Sequence, residues 1–148
     1  MAGATGIYIR DGRIQAARVE GSLRRPRLCS LVTRRFEEEE GSLAVLLEEG
    51  GISRRRVHLA LPSRLVSFRK AMLPLKGEDQ IRRTVKFQAE RFVPGLDPEE
   101  AAVDFFVTRR GEDFTEIILA VARKRDIAAC REKLDAAGIT PEGVTVDL

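Results

Sequence analysis

Apolar and polar side chains alternate from Gly6 to Arg10 and again from Arg13 to Glu20, with Asp11-Gly12 between the two runs. A period of two, broken by a two-residue segment of this kind, predicts a β-hairpin closed by a primed turn. A third strand is predicted from Arg27 to Phe36. Simple alternation places Leu28, Ser30, Val32 and Arg34 on one face and Cys29, Leu31, Thr33 and Arg35 on the other; Pro26 limits where that strand can begin. The charge run Glu37 to Glu40 reads as a solvated turn. Ser42 is placed to cap a short helix reaching Glu49, with Leu43, Leu46 and Leu47 on one face and Gly50-Gly51 at its end. Val57 to Leu61 is a short apolar run of the kind buried inside a sheet.

Pro62 to Val66 reads as a crossover, and Ser67 to Leu73 as a strand stopped by Pro74. Glu78 to Phe92 has helical spacing, with Ile81, Val85, Ala89 and Phe92 on one stripe opposite Arg83 and Glu90, and Pro94-Gly95 terminating it. Ala102 to Thr108 and Phe114 to Ala122 predict a second hairpin across Arg109 to Asp113. Asp126 is the predicted cap of a last helix whose apolar stripe is Ile127, Cys130, Leu134 and Ala137. Gly138 and Pro141 end that helix. A strand begins at Val144. The order is β-β-β-α-β, then β-α-β-β, then α-β.

Composition narrows the class. The chain has 148 residues, 43% of them hydrophobic and 33% charged, enough for one core or two small subdomains sharing one. No apolar run approaches the roughly 20 residues a spanning helix needs, and the N-terminal residues lack the pattern of a secretory signal. Cys29 and Cys130 have no metal-type spacing and fit a reduced, cytosolic setting. The formal net charge is +3, carried by arginine pairs and triplets: Arg24-Arg25, Arg34-Arg35, Arg54 to Arg56, Arg82-Arg83 and Arg109-Arg110. These fall at expected turns and strand ends. One tyrosine and no tryptophan leave little to stack on bases, so a nucleic-acid surface is not expected.

Leu61-Pro62 and Leu73-Pro74, the helix end Phe92-Val93-Pro94, Val103-Asp104-Phe105, the strand closing in Ala122-Arg123-Lys124, and Ala137-Gly138-Ile139 before Pro141 occur in one fixed order. This ordered set resembles the first lobe of the actin-like PilM and GspL families of type IV pilus and type II secretion machines, relatives of FtsA. The resemblance implies a mixed α/β, ribonuclease H-like lobe with a mixed sheet, formed by residues 1–66 and 123–148. A strand-helix-strand-strand subdomain, residues 67–122, would be inserted into it. ATP lies between two lobes in this fold, and this chain supplies one. Leu148 falls inside a predicted strand, so the protein is expected to continue beyond it.

Nucleotide-binding members grip phosphate with the first hairpin. PilM-like proteins carry approximately G-[LIV]-D-[IV]-G-S-S-x-[VI]-K there. The matching stretch here is Gly6-Ile7-Tyr8-Ile9-Arg10-Asp11-Gly12-Arg13-Ile14-Gln15. Tyr8 replaces the metal-side carboxylate, and a neutral phenol is no magnesium ligand. Arg10 replaces the first turn glycine and brings a side chain where backbone should hug phosphate. Asp11-Gly12 replaces the serine pair, and Gln15 the lysine. A degenerate site without cofactor is expected, with magnesium-bound ATP as the alternative; Arg10 alone could still meet a phosphate as a point contact.

No catalytic constellation stands out. Nuclease chemistry would need clustered carboxylates for two metals; Tyr8 removes the first, and Asp104 and Asp147 lie apart in the expected layout. His58 has no nearby serine or cysteine nucleophile and reads as a packed or edge residue. Cys130 reads as core and Asp104 as a structural strand position. The resemblance therefore implies a non-enzymatic cytoplasmic scaffold, peripheral to the inner membrane. It would bind the cytosolic N-terminal tail of an inner-membrane partner such as PilN, the assembly ATPase, or both. The expected groove is walled by Leu61, Pro62, Leu65, Val66 and Phe68, with Phe87, Phe92 and Phe105 from the insert. Arg82, Arg83 and Lys86 could add charge complementarity to an acidic partner. Pilus and secretion machinery remain two alternatives.

Overall fold

A computed structural model describes residues 3–22, 24–35 and 42–147. The acidic run Glu37 to Glu40, the capping role given to Ser42, the side chain of Phe92 and Leu148 lie outside what it describes. The described residues fall into two compact units, one holding those up to Ser63 and from Ala128 onward, the other Arg64–Ile127.

The first unit is built on a five-stranded sheet. Strands β1 (Gly3–Arg10), β2 (Arg13–Ser22), β3 (Arg25–Arg35), β4 (Val57–Leu61) and β8 (Gly143–Val146) lie in the order β3-β2-β1-β4-β8. The first three form the antiparallel meander, and β4 and β8 run parallel to β1. The turn between β1 and β2 has Asp11 at φ 48° and Gly12 at φ 67°, the two left-handed residues of a primed turn whose twist matches its strands. Along β1 the alternation is strict: Thr5, Ile7 and Ile9 are buried, while Gly6 and Arg10 are exposed. Ile14, Ala16, Val57, Leu59 and Leu61 continue the buried face.

Helix α1 (Ser42–Glu49) contributes buried Leu43 and Leu47. It closes with Gly51 at positive φ and Ile52 N–H donating to the Leu47 carbonyl, a glycine stop of the expected kind. The Ser30 hydroxyl donates to the Gly50 carbonyl at 2.7 Å, tying β3 to the end of this helix. Thr5, also buried, donates from Oγ1 to the Ser53 carbonyl at 2.8 Å.

The alternation expected of β3 needs a correction. The register slips between Arg18 and Val19, so that Ser30 lies across from Arg18 but Leu28 across from Val19. Cys29 is the extra residue of a bulge. Leu28 therefore moves to the face of Leu31, and Arg27 shares a face with Val32 and Arg34. The strand also begins earlier than expected, taking in Pro26, which an edge strand tolerates.

The second unit has a three-stranded antiparallel sheet in the order β5-β7-β6: β5 (Val66–Leu73), β6 (Ala101–Arg110) and β7 (Thr115–Arg123). A 3-10 turn at Ser63–Leu65 precedes β5. Ile117, Leu119 and Val121 of β7 are buried with Ile81, Val85 and Ala89, and with Leu96 and Ala101. The helix expected from Glu78 to Phe92 is interrupted: α2 (Glu78–Phe87) ends at Gln88, and a short α3 (Ala89–Phe92) follows. The buried stripe survives the break because Ala89 is fully enclosed. The opposite sheet face leaves Met72, Phe106 and Ile118 at 60%, 70% and 40% exposure.

The last helix, α4, spans Lys124–Asp135, so Asp126 sits in its first turn and is not the cap. A carboxylate there still meets the positive end of the helix. Leu134 and Ala137 are buried, Ile127 and Cys130 half-buried. Gly138 at φ 71° and Ile139 N–H on the Leu134 carbonyl close the helix.

Candidate functional site

The two-residue turn forces the residues flanking it into register. Arg10 lies opposite Arg13 and Tyr8 opposite Gln15, and because opposed residues share a face, all four project from the same side of the hairpin. With Asp11 they line a cavity of about 420 Å³. Arg35 lies opposite Arg13 on β3, which makes one cross-strand row of three arginines, Arg10, Arg13 and Arg35. Arg10 Nε donates to Asp11 Oδ2 at 2.9 Å, an ion pair well exposed to solvent and so of small energetic worth.

Tyr8 is half-buried, and its hydroxyl is shut off from solvent without a partner in good hydrogen-bond geometry. The Asp147 carboxylate and the Arg10 guanidinium nevertheless stand close enough to govern its titration. Burial, and then Asp147, push the phenol above its ordinary value, while Arg10 opposes them. Asp147 is held below the usual carboxylate range, first by Tyr8 and then by Ser63, whose backbone N–H donates to Oδ1. The Asp147 N–H in turn donates to the Leu61 carbonyl at 2.9 Å. At the ends of β1, β4 and β8 a phenol and a carboxylate thus stand beside one another.

This arrangement does not fit a magnesium-bound nucleotide gripped as the family pattern implies. Tyr8 supplies no anionic oxygen, Asp11 is paired with Arg10, and Asp147 already accepts from Ser63. Among the described residues no group of three or more His, Cys, Asp or Glu side chains is placed to hold a metal ion.

The residues expected to wall a groove are distributed as follows. Leu61 and Pro62 belong to the first unit and are buried. Leu65, Val66, Phe68 and Phe105, in the second unit, are half-buried, and Phe87 on α2 is 78% exposed. Phe68 lies opposite Ala120, and Phe105 opposite Leu119. The two phenylalanines therefore stand on opposite faces of the three-stranded sheet and do not share a wall. The Phe105 ring packs on the core side, with the Arg82 guanidinium 5.1 Å from its centroid.

Arg82 also donates to Asp104 at 3.3 Å, while Arg83 and Lys86 are exposed beside it on α2. That pair sits within a helix and not at the turn expected for arginine pairs. Asp104 further accepts from the Phe105 N–H at 2.9 Å, a local strand contact. His58 is exposed on β4 opposite Gly143, in the central part of the sheet and not at an edge. Two features escaped the sequence reading. Arg13 could have been added from the turn length alone. The approach of Asp147 to Tyr8 and Ser63 joins segments far apart in the chain and leaves no local signal.

No helix among the described residues is long and apolar enough to cross a membrane. No family profile matches the chain, and no curated protein does. Solved structures do. A chain of a PilM-PilN type IV pilus biogenesis complex superposes with a TM-score of 0.77 at 26% identity, over 97% of this chain and 47% of that one. The cytoplasmic domain of EpsL, an inner membrane component of the type II secretion system of Vibrio cholerae, superposes with a TM-score of 0.65 at 11% identity, over 97% of this chain and 57% of that one. The second likeness is one of fold alone. The chain spans about half the length of each. The expected resemblance is thus present in three dimensions, and the fold is actin-like mixed α/β.

Proposed function

We propose that this chain is a scaffold lobe of the inner-membrane assembly platform of a type IV pilus or type II secretion machine. It would act in the cytoplasm, without catalysis, by holding the cytosolic tail of an inner-membrane partner or the assembly ATPase. The observation that supports this most directly is the superposition on nearly the whole chain with part of a PilM-PilN complex at 26% identity. The degenerate hairpin supports it chemically, because Tyr8, Arg10 and Asp11 replace the groups that phosphate and magnesium would need.

The test is titration calorimetry of the protein with the short cytosolic N-terminal peptide of the membrane protein encoded beside it. Saturable binding that Leu65→Ser or Phe68→Ala weakens, with the circular dichroism spectrum unchanged, is the expected result. A folded protein that binds neither this peptide nor the assembly ATPase would defeat the proposal. The second reading, a nucleotide-binding protein completed by another lobe, rests on the cavity at the hairpin. It requires magnesium-dependent ATP binding by the longer protein.

A further inference from the structure

Strand β3 is the outer strand of its sheet: β2 occupies one side, and no described strand pairs with the other. It carries four arginines and no acidic residue, and after the bulge the residues from Ser30 to Arg35 run in regular register with β2. An unpaired edge is a row of free N–H and C=O groups, and proteins commonly protect such rows with charge, proline and bulges. Pro26, the Cys29 bulge and the arginines are devices of that type. Protection alone does not explain Leu28 and Leu31, which stand on one face of the same edge at 58% and 63% exposure.

The two faces of β3 differ in chemistry. One carries Leu28 and Leu31, followed by Thr33 and Arg35. The other carries Arg25, Arg27 and Arg34, across from Ser22, Glu20 and Ile14 of β2, with Ser30 and Val32 between Arg27 and Arg34. Glu20 is already engaged by Arg18. We infer that the free edge of β3 is a docking site for an extended partner segment in which acidic and apolar residues alternate. Strand addition would satisfy the edge backbone. Its period of two would put its apolar side chains on the face of Leu28 and Leu31 and its acidic ones on the face of Arg25, Arg27 and Arg34. A second copy of this chain offers no counter-charge, since β3 carries no acidic residue, and in-register parallel pairing sets arginine directly against arginine, where like charges repel. Strand β3 holds none of the residues expected to wall the groove, and the inference does not depend on the platform reading.

The probe is a capped synthetic octapeptide of alternating glutamate and valine, titrated into the whole chain, with amide hydrogen exchange mapping the contact. The expected result is saturable one-to-one binding with slowed exchange in β3. Arg27→Glu combined with Arg34→Glu should weaken it by about tenfold or more, with melting unchanged. The same peptide N-methylated at alternate amides, unable to extend the ladder, should not bind. Several results would overturn the inference: no binding to the folded chain, equal binding of the N-methylated peptide (charge alone), or equal binding of a lysine-valine peptide. Sedimentation showing a dimer that Leu31→Lys dissolves would overturn it as well, by naming a second copy as the occupant.

Discussion

Neighbouring residues of β7 offer a sharp contrast. Ile117 is fully buried with Ile81, Val85 and Leu119, whereas Ile118 lies on the opposite face, across from Phe106, and is 40% exposed. Replacing each with alanine removes the same three carbons and lowers strand propensity alike, so the difference isolates burial. At about 0.8 kcal/mol per buried carbon, Ile117→Ala loses roughly 2.4 kcal/mol of transfer energy. The cavity left among its neighbours raises the cost to about 3–4 kcal/mol, inside the 2–5 kcal/mol known for such truncations. For Ile118→Ala the transfer loss falls to about 1.4 kcal/mol, because part of the side chain is already in water, and an open face leaves no cavity.

The expected gap is therefore about 2 kcal/mol. It is measured by urea unfolding of the two variants and the parent, followed by far-ultraviolet circular dichroism at one pH, with the slopes compared to verify that each unfolds alike. Equal costs, or a gap under about 0.5 kcal/mol, would refute the assignment of one face of this sheet to core and the other to solvent.

Two further expectations follow from single contacts. Thr115 is 1% exposed and its Oγ1 donates to the Leu75 carbonyl at 2.6 Å, so Thr115→Val should cost about 1–3 kcal/mol in the same urea assay and Thr115→Ser clearly less. A valine variant as stable as the parent would remove that bond from the account. Asp147 is held low by Tyr8 and Ser63, and Glu116 by Lys70 and Thr108. A lowered folded-state value means their contribution is present above the ordinary carboxylate range and lost as pH falls through the lowered values. The urea midpoint should fall below about pH 4, and Asp147→Asn should flatten that fall; an unchanged slope would rule Asp147 out.

Much of the fold was legible because it is local. Period-two alternation around Asp11-Gly12 marked the first hairpin, and the glycines at 51 and 138 marked the helix ends, each at positive φ. The errors fall where a partner element decides. Strand β3 alone has no feature that announces a bulge at Cys29; pairing with β2 across Arg18 and Val19 sets it. Asp126 has the residue type of a cap, but the helix starts at Lys124, directly after β7. The site divides in the same way. Tyr8, Arg10, Asp11 and Gln15 could be read from the hairpin itself. Ser63 and Asp147 meet only when β4 and β8 lie side by side, and the opposite placement of Phe68 and Phe105 follows from their registers with β7.

The hairpin also shows how side chains that suit a turn can oppose an anion bound at it. A primed two-residue turn sets the flanking residues opposite one another whatever they are, so placing arginine at both positions creates a row of like charge, extended by Arg35 on β3. Like charges directly across strands are destabilising, and Asp11 supplies one counter-charge at 2.9 Å from Arg10. The same carboxylate would repel a phosphate entering the cavity. The buried Tyr8 hydroxyl, beside an Asp147 already bonded to Ser63, removes the anionic oxygens a magnesium ion would seek. Each of these side chains is compatible with the β1–β2 turn, and together they oppose a magnesium-bound phosphate at it. Apart from this hairpin, the strands expose the unpaired edge of β3 and the outward face carrying Met72, Phe106 and Ile118.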